Sequence, residues 1–230
     1  MNENYCEVFG FDESFSALMD DGPFKWQKRL FNRFMEDDFP AVLDLPTGLG
    51  KTSIIPIWLI ALAAQFKMPH TTFPRRLVYI VNRRTVVDQA TAIVEKIRRR
   101  ILNPDDPSWQ KHAQVLSQLR RTLLNLSAGL DDMPLAISTL RGELADNEEW
   151  KRDPARPAII VGTIDMAGSK LLFSGYGDGR YHRPHHAGLI GKDALIVHDE
   201  AHLTLAFSKL LGSIAEAQTC ESRPVRVLEL

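Results

Sequence analysis

One glycine-bearing loop between two apolar segments constrains the fold of this chain more than any other stretch. Residues 42–45 read VLDL, residues 46–53 read PTGLGKTS, and residues 54–64 are apolar throughout. This order predicts strand, loop and helix, the context in which backbone N–H groups at a helix N-terminus bind phosphate. Gly48 and Gly50 let the backbone turn where a side chain would block the anion. The generic pattern begins with glycine where this chain has Leu45, so the match is to the shorter Pro-Thr-Gly-x-Gly-Lys-Thr form.

The residues of this loop have distinct expected roles. Lys51 is predicted to reach the β- and γ-phosphates of a nucleoside triphosphate, and the Thr52 hydroxyl to ligate Mg²⁺. The other loop residues predicted to bind the nucleotide are Pro46, Thr47, Gly48, Leu49, Gly50 and Ser53. Gln27 lies upstream, in residues 24–35, whose apolar spacing predicts a helix. We expect its amide to pair with an adenine edge; the alternative is an ordinary solvated glutamine.

A second motif, rich in acidic residues, follows an apolar strand candidate at residues 194–197. It reads His198-Asp199-Glu200-Ala201-His202. In a chain that already has a phosphate loop, Asp199 is predicted to hold Mg²⁺, and Glu200 to orient and deprotonate the attacking water. The pair His198-Asp199 also occurs as the ligand dyad of metal-dependent phosphohydrolases. That alternative requires further ligands on helices, and the strand context argues against it.

Strand and helix patterns alternate along the chain. The strand candidates are residues 41–45, 75–81, 134–139, 158–161, 194–197 and 225–230. The alternation predicts an α/β fold with a mostly parallel sheet of five or six strands, flanked by helices on both faces. Right-handed crossovers would bring the loops that follow the strands, at 46–52, 82–85, 162–165 and 198–202, to one sheet edge. Residues 1–20 are predicted to be a polar, irregular lead-in, and residues 21–230 a single domain.

Polar residues after the other strands are candidates for nucleic-acid contacts. Arg83 and Arg84 follow the strand at 75–81, where ligands bind in open α/β sheets. Thr163 lies between a strand end and a helix start, so that its hydroxyl and N–H could donate to phosphate. The alternatives are solvated charge for the arginines and an ordinary helix cap for the threonine. The histidine-rich segment 174–186 is interpreted as a surface loop rather than a metal site.

Composition narrows the classes of protein. A net charge of −1 gives no global basic field, so any nucleic-acid contact must come from local patches. The two cysteines form neither a disulfide framework nor a zinc pattern, which fits a cytoplasmic protein. The polar N-terminus is unlike a secretory signal, and the apolar run at 54–64 is shorter than the about 20 residues that span a bilayer. We therefore expect no membrane contact.

With both motifs in place, residues 20–230 resemble the first RecA-like lobe of a superfamily 2 DEAH/DEAD-box helicase, a P-loop NTPase fold. Gln27 is similar to the family's adenine-reading glutamine. The segments 82–84, 139–142 and 162–165 resemble its successive strand-contacting motifs, which adds Arg141 and Asp165 to Arg83, Arg84 and Thr163 as expected nucleic-acid contacts. The stretches 161–165 and 185–192 look like the CRISPR-associated helicase–nuclease of type I interference systems.

The resemblance implies ATP and Mg²⁺ as cofactors and single-stranded DNA as the track. It also implies recruitment by a guide-RNA surveillance complex and a histidine–aspartate nuclease domain. This chain contains neither that nuclease domain nor a second RecA-like lobe, so we expect a truncated helicase with little turnover alone, since an arginine finger is worth about 10³–10⁵ in rate. Two alternatives stay open. One is a lobe of another superfamily 2 enzyme, such as an RNA helicase or repair translocase; the other is a nucleotide-responsive binding module without turnover.

Overall fold

A five-stranded, entirely parallel sheet forms the centre of the protein. The computed structural model describes residues 10–46, 48–66, 71–140 and 148–230. The strands are β1 (Arg76–Val81), β2 (Ala136–Leu140), β3 (Ala158–Thr163), β4 (Ala194–His198) and β5 (Arg226–Glu229). Their order across the sheet is β2-β3-β1-β4-β5, which leaves β1 in the middle. Val42 forms an isolated parallel bridge with Glu229, so the segment before the glycine-bearing loop lies beside β5.

Helices cover both faces of this sheet. They are α1 (Phe11–Met19), α2 (Lys25–Met35), α3 (Ile54–Gln65), α4 (Arg84–Leu102), α5 (Ala113–Leu124), α6 (Glu149–Arg152), α7 (Ile164–Leu171), α8 (Arg183–Gly191) and α9 (Leu205–Ala217). Short 3₁₀ turns occupy Lys51–Ser53, Pro107–His112 and Ala201–Leu203. This confirms the predicted α/β architecture with a parallel sheet between two helical layers.

Alternate residues of each strand face different helices. In β1, Leu77, Tyr79 and Val81 join the core formed with α1 to α5, whereas Val78 and Ile80 join the core formed with α6 to α9. Since both faces are covered, the strands read as continuous apolar runs. Helix α3 is buried along its whole length because it contacts α1, α2 and α5.

The structure differs from the expectations at several segments. Residues 174–186, interpreted as a surface loop, include the start of α8 at Arg183, and the side chain of His186 is buried. Residues 11–19, expected to be irregular, form helix α1, and the ring of Phe11 stacks on Phe31 with centroids 4.4 Å apart. The core therefore begins before residue 21. Residues 41–45, expected to be a strand, form only the single bridge at Val42, whose side chain is largely exposed at the sheet edge. None of the described helices is long and apolar enough to cross a membrane.

Candidate functional site

The carboxyl ends of the strands meet at one edge of the sheet. Val81 of β1 is the register partner of Thr163 of β3, and Ile80 is the partner of His198 of β4. The segment before residue 46 reaches the same edge, because Leu43 N–H donates to the carbonyl of Glu229 at 2.9 Å. The sequence predicts that four loops meet, at 46–52, 82–85, 162–165 and 198–202. Their described parts thus lie along this one edge of the sheet.

The glycine-bearing loop has the backbone that its sequence predicts. Gly48 and Gly50 have φ angles of +87° and +71°, which side-chain-bearing residues rarely adopt. A 3₁₀ turn over Lys51–Ser53 then leads directly into α3, and Ser53 Oγ donates to the carbonyl of Gly50 at 2.6 Å. The amides of the loop therefore precede a buried helix N-terminus, as an anion site requires. Thr47 lies outside the described residues.

Gln27 of α2 packs directly against this loop. Its side chain is buried; Oε1 accepts from the N–H of Phe24 at 2.7 Å, and Nε2 donates to Ser53 Oγ at 2.6 Å. The second hydrogen of Nε2 and the second lone pair of Oε1 are not used in these two hydrogen bonds. The amide therefore braces the loop, while its predicted pairing with adenine stays a prediction.

The acidic motif stands beside the loop, at the end of β4. Asp199 is half-buried; its N–H donates to the carbonyl of Ile80, and its Oδ1 accepts from the N–H of Glu200 at 3.0 Å. Glu200 has a φ of +56°, which turns the chain sharply after the strand. The Asp199 carboxylate is thereby held at the sheet edge, and Glu200 follows it directly in the turn.

Tyr79 contacts the acidic motif, and the sequence analysis missed it. Its phenol on β1 donates to Asp199 Oδ2 at 2.7 Å. The Thr52 side chain acts on the same phenol in the opposite sense to burial, because it lowers the pKa of Tyr79 in part. Burial, reinforced by the charge of Asp199, raises the pKa of Tyr79 well above its ordinary value, so the group stays a donor. The available signal was a tyrosine inside an apolar strand, since a buried phenol needs a partner.

Thr52 and Asp199 are a suitable ligand pair for Mg²⁺. A hydroxyl and a carboxylate supply the hard oxygen donors that this ion prefers, and the carboxylate is oriented by the Tyr79 phenol. Lys51 is part-exposed in the turn that carries Thr52.

His198 belongs to the opposite face of the sheet from Asp199. Its Nε2 lies 2.9 Å from Thr204 Oγ1, and its Nδ1 lies 3.2 Å from Ser208 Oγ. Burial lowers the pKa of His198, so the ring is neutral. Because both ring nitrogens bond to hydroxyls near α9, His198 and Asp199 do not form the dyad of a phosphohydrolase.

The nucleic-acid candidates follow β1 and β3 at the same edge. Arg83 and Arg84 are exposed at the start of α4, where Arg83 is the cap residue. Thr163 is buried at the N-cap position of α7, where its side chain makes no capping hydrogen bond, and Asp165 is exposed in the first turn of that helix. Arg141, which follows β2, lies outside the described residues.

Comparison with known families agrees with this geometry. The family model described as "Type III restriction enzyme, res subunit" (ResIII) matches residues 22–220. The chain belongs to the ResIII family. ResIII domains are of the superfamily 2 helicase type, which implies an ATPase of helicase type and the general use of ATP and Mg²⁺. Comparison of this ResIII domain with curated proteins gave no match.

Proposed function

We propose that this ResIII domain is the ATP-binding lobe of an ATP-dependent DNA helicase or translocase of CRISPR type I interference. The observation that carries the ATP site is that the glycine-bearing loop and the acidic motif reach the same edge of the sheet, where the Tyr79 phenol fixes Asp199. The two motifs are 147 residues apart in the chain (52 and 199). Packing of the core alone does not explain why their polar groups meet there.

Each residue of the site has a defined task in this proposal. The amides of residues 48–53 bind and orient the phosphates, and Lys51 neutralises charge on the β- and γ-phosphates. Glu200 orients water and accepts its proton as the water oxygen attacks the γ-phosphorus, and the bond from that phosphorus to the β–γ bridging oxygen breaks to release ADP. Thr52 and Asp199 would hold Mg²⁺, which supplies further charge neutralisation when bound.

The loops after β1, β2 and β3 form the proposed DNA track. Arg83, Arg84 and the Thr163 hydroxyl carry groups that donate to phosphate oxygens, and they lie on the sheet edge that also carries the nucleotide site. Arg141 and Asp165 join them by resemblance. Movement of these loops with the nucleotide state would couple hydrolysis to the strand. The second RecA-like lobe, a nuclease domain and a guide-RNA surveillance complex are the proposed partners.

Nucleotide binding is the first test, because an isolated lobe lacks an arginine finger and is expected to turn over slowly. A fluorescent ATP analogue is titrated with Mg²⁺ into the wild type, Lys51→Ala and Lys192→Ala. Lys192 pairs with Glu221 on the surface, at the amino end of β4 and thus at the opposite sheet edge. We expect only Lys51→Ala to lose binding. Equal binding by all three proteins would overturn the site.

Turnover then separates DNA from RNA. Phosphate release is measured with the second lobe present, in the presence of single-stranded DNA or single-stranded RNA. Stimulation by DNA alone supports the proposal, and stimulation by RNA alone replaces it with an RNA helicase lobe. Nucleotide binding without turnover under either condition favours a binding module.

A further inference from the structure

Tyr79 carries a hydroxyl group that the packing of the core does not require. The residue lies in the middle strand of the sheet and is fully buried, with its ring in the core formed with α1 to α5. A phenylalanine would fill the same space in this core. The hydroxyl must therefore be explained by its partners rather than by the ring.

The observed partner is Asp199, a group expected to hold Mg²⁺. The phenol donates to Asp199 Oδ2 at 2.7 Å, whereas the other carboxylate oxygen of Asp199 accepts from Glu200 N–H at 3.0 Å. Each oxygen of Asp199 is thus oriented by one donor and retains lone-pair capacity toward the site. Groups that hydrogen-bond to metal ligands in this way fix the ligand geometry, and their loss typically costs about 10–100-fold in metal affinity.

We propose that Tyr79 is a positioning residue that holds Asp199 in the orientation that binds Mg²⁺ with ATP. The inference rests on the proposed function, because it presupposes the nucleotide site. It adds a hydrogen bond that connects β1 to the acidic motif after β4. Since β1 also leads into the turn with Arg83 and Arg84, a shift of Tyr79 on nucleotide binding would reach the proposed DNA track through only a few residues.

The test is a Mg²⁺ titration of nucleotide binding with Tyr79→Phe, which retains the ring and removes the hydroxyl. Tyr181→Phe is the matched control, because Tyr181 is 93% exposed. Binding of the fluorescent ATP analogue is followed at fixed nucleotide concentration as Mg²⁺ rises, and again in EDTA. We expect Tyr79→Phe to raise the half-saturating Mg²⁺ concentration about tenfold or more, with weak binding in EDTA unchanged. Tyr181→Phe should match the wild type in both conditions.

Several outcomes would overturn the inference. An unchanged Mg²⁺ requirement in Tyr79→Phe contradicts it, and so does an equal loss of binding with and without Mg²⁺, which indicates a merely structural role. If the wild type binds no nucleotide, the proposed function fails, and the inference with it. A wild type that binds beside an unaffected Tyr79→Phe refutes the inference alone.

A double variant distinguishes an effect of Tyr79 on Asp199 from a general folding defect. In an Asp199→Asn background the ion site is already impaired, so Tyr79→Phe should add less than twofold to the half-saturating Mg²⁺ concentration. Full additivity of the two changes would show that Tyr79 does not act through Asp199. Circular dichroism of each variant checks that the sheet is intact.

Discussion

The amide of Gln27 donates to Ser53 Oγ at 2.6 Å, and Ser53 Oγ donates onward to the carbonyl of Gly50 at 2.6 Å. These hydrogen bonds therefore connect helix α2 to the 3₁₀ turn that follows the glycine-bearing loop. Gln27 and Ser53 are both buried, so water does not readily replace either side chain as a hydrogen-bond partner. Gln27 consequently affects the shape of the loop whether or not it also contacts a base.

Gln27→Ala separates these two roles. Loss of the brace should weaken binding of a fluorescent ATP analogue about tenfold, since net hydrogen bonds contribute about 1 kcal/mol each. If Gln27 also reads adenine, the variant loses the preference for ATP over GTP; if it only braces the loop, both nucleotides weaken equally. Gln114→Ala on the exposed side of α5 is the control. Wild-type affinity in Gln27→Ala would contradict both roles.

Gly162 of β3 is predicted to tolerate no side chain. A Cβ atom there would lie 2.9 Å from Leu140 Cβ and 3.1 Å from the Leu140 carbonyl oxygen of the neighbouring strand. Gly162→Ala should therefore lower the free energy of unfolding by about 1–3 kcal/mol, measured by urea denaturation. Gly212→Ala is the matched control, because a Cβ on that exposed α9 residue meets nothing within 4 Å. It should stabilise the protein by up to about 1 kcal/mol, and a similar loss in both variants would contradict the steric argument.

The parts of the site that the sequence predicted are those set by local geometry. The glycines at 48 and 50 require positive φ angles, and a parallel sheet brings the loops after its strands to one edge. The motifs could therefore be placed together without any knowledge of side-chain contacts.

What the sequence did not reveal depends on contacts between distant residues. Tyr79 reads as one more apolar strand residue, because its partner Asp199 is 120 residues away. Helix α1 has nine residues, too short to be stable alone, and forms because Phe11 and Phe15 are buried against other helices. The segment before the glycine-bearing loop, predicted to be a strand, forms only one bridge, between Val42 and Glu229 of β5. It lies at the side of the sheet and therefore has a pairing partner on one side only.

Lys170 and Asp178 form a buried ion pair beneath the loop between α7 and α8. Lys170 Nζ lies 3.0 and 2.9 Å from the two carboxylate oxygens, and both side chains are at most 3% exposed. Burial raises the pKa of Asp178, but the Lys170 hydrogen bonds and the nearby His186 outweigh it and hold that pKa below its ordinary value. The Asp178 carboxylate is thus ionised, with the buried Lys170 as its ion-pair partner.

Lys170→Met should lower the free energy of unfolding by about 3 kcal/mol, because it removes two hydrogen bonds and a paired charge from a buried carboxylate. Lys151 Nζ, at 3.9 Å, and His186 Nδ1, at 2.9 Å, remain near Asp178 Oδ1. The double variant Lys170→Met with Asp178→Asn should recover at least half of that loss, since no unpaired charge remains. Lys209→Met, on the exposed side of α9, controls for the substitution itself. Urea denaturation measures all three variants. A double variant less stable than Lys170→Met would contradict the explanation.

Asp20 connects α1 to α4 through ion pairs, and its titration should make the free energy of unfolding depend on pH in the acid range. Its carboxylate lies 2.7 Å from Lys96 Nζ and 2.5 Å from an Arg100 guanidinium nitrogen. The hydrogen bonds from Lys96 and Arg100 lower the pKa of Asp20 from 3.8 to about 2. A carboxyl group whose pKa is lower in the folded state stabilises that state above its unfolded pKa, and the contribution is lost as the pH falls toward the folded value.

Asp20→Asn removes this contribution while it keeps a residue that tolerates the φ of +81° at this position. Because the carboxylate is 58% exposed and partly screened, we expect a loss of about 1 kcal/mol at pH 7. The difference from the wild type should stay constant down to about pH 5 and shrink between about pH 5 and pH 2, because the unfolded wild-type chain binds its proton at a higher pH than the folded protein does. Urea denaturation across this range measures it, with Asp21→Asn, an exposed neighbour, as the control. A difference that widens as the pH falls, or one that Asp21→Asn reproduces, would refute the tie between the two helices.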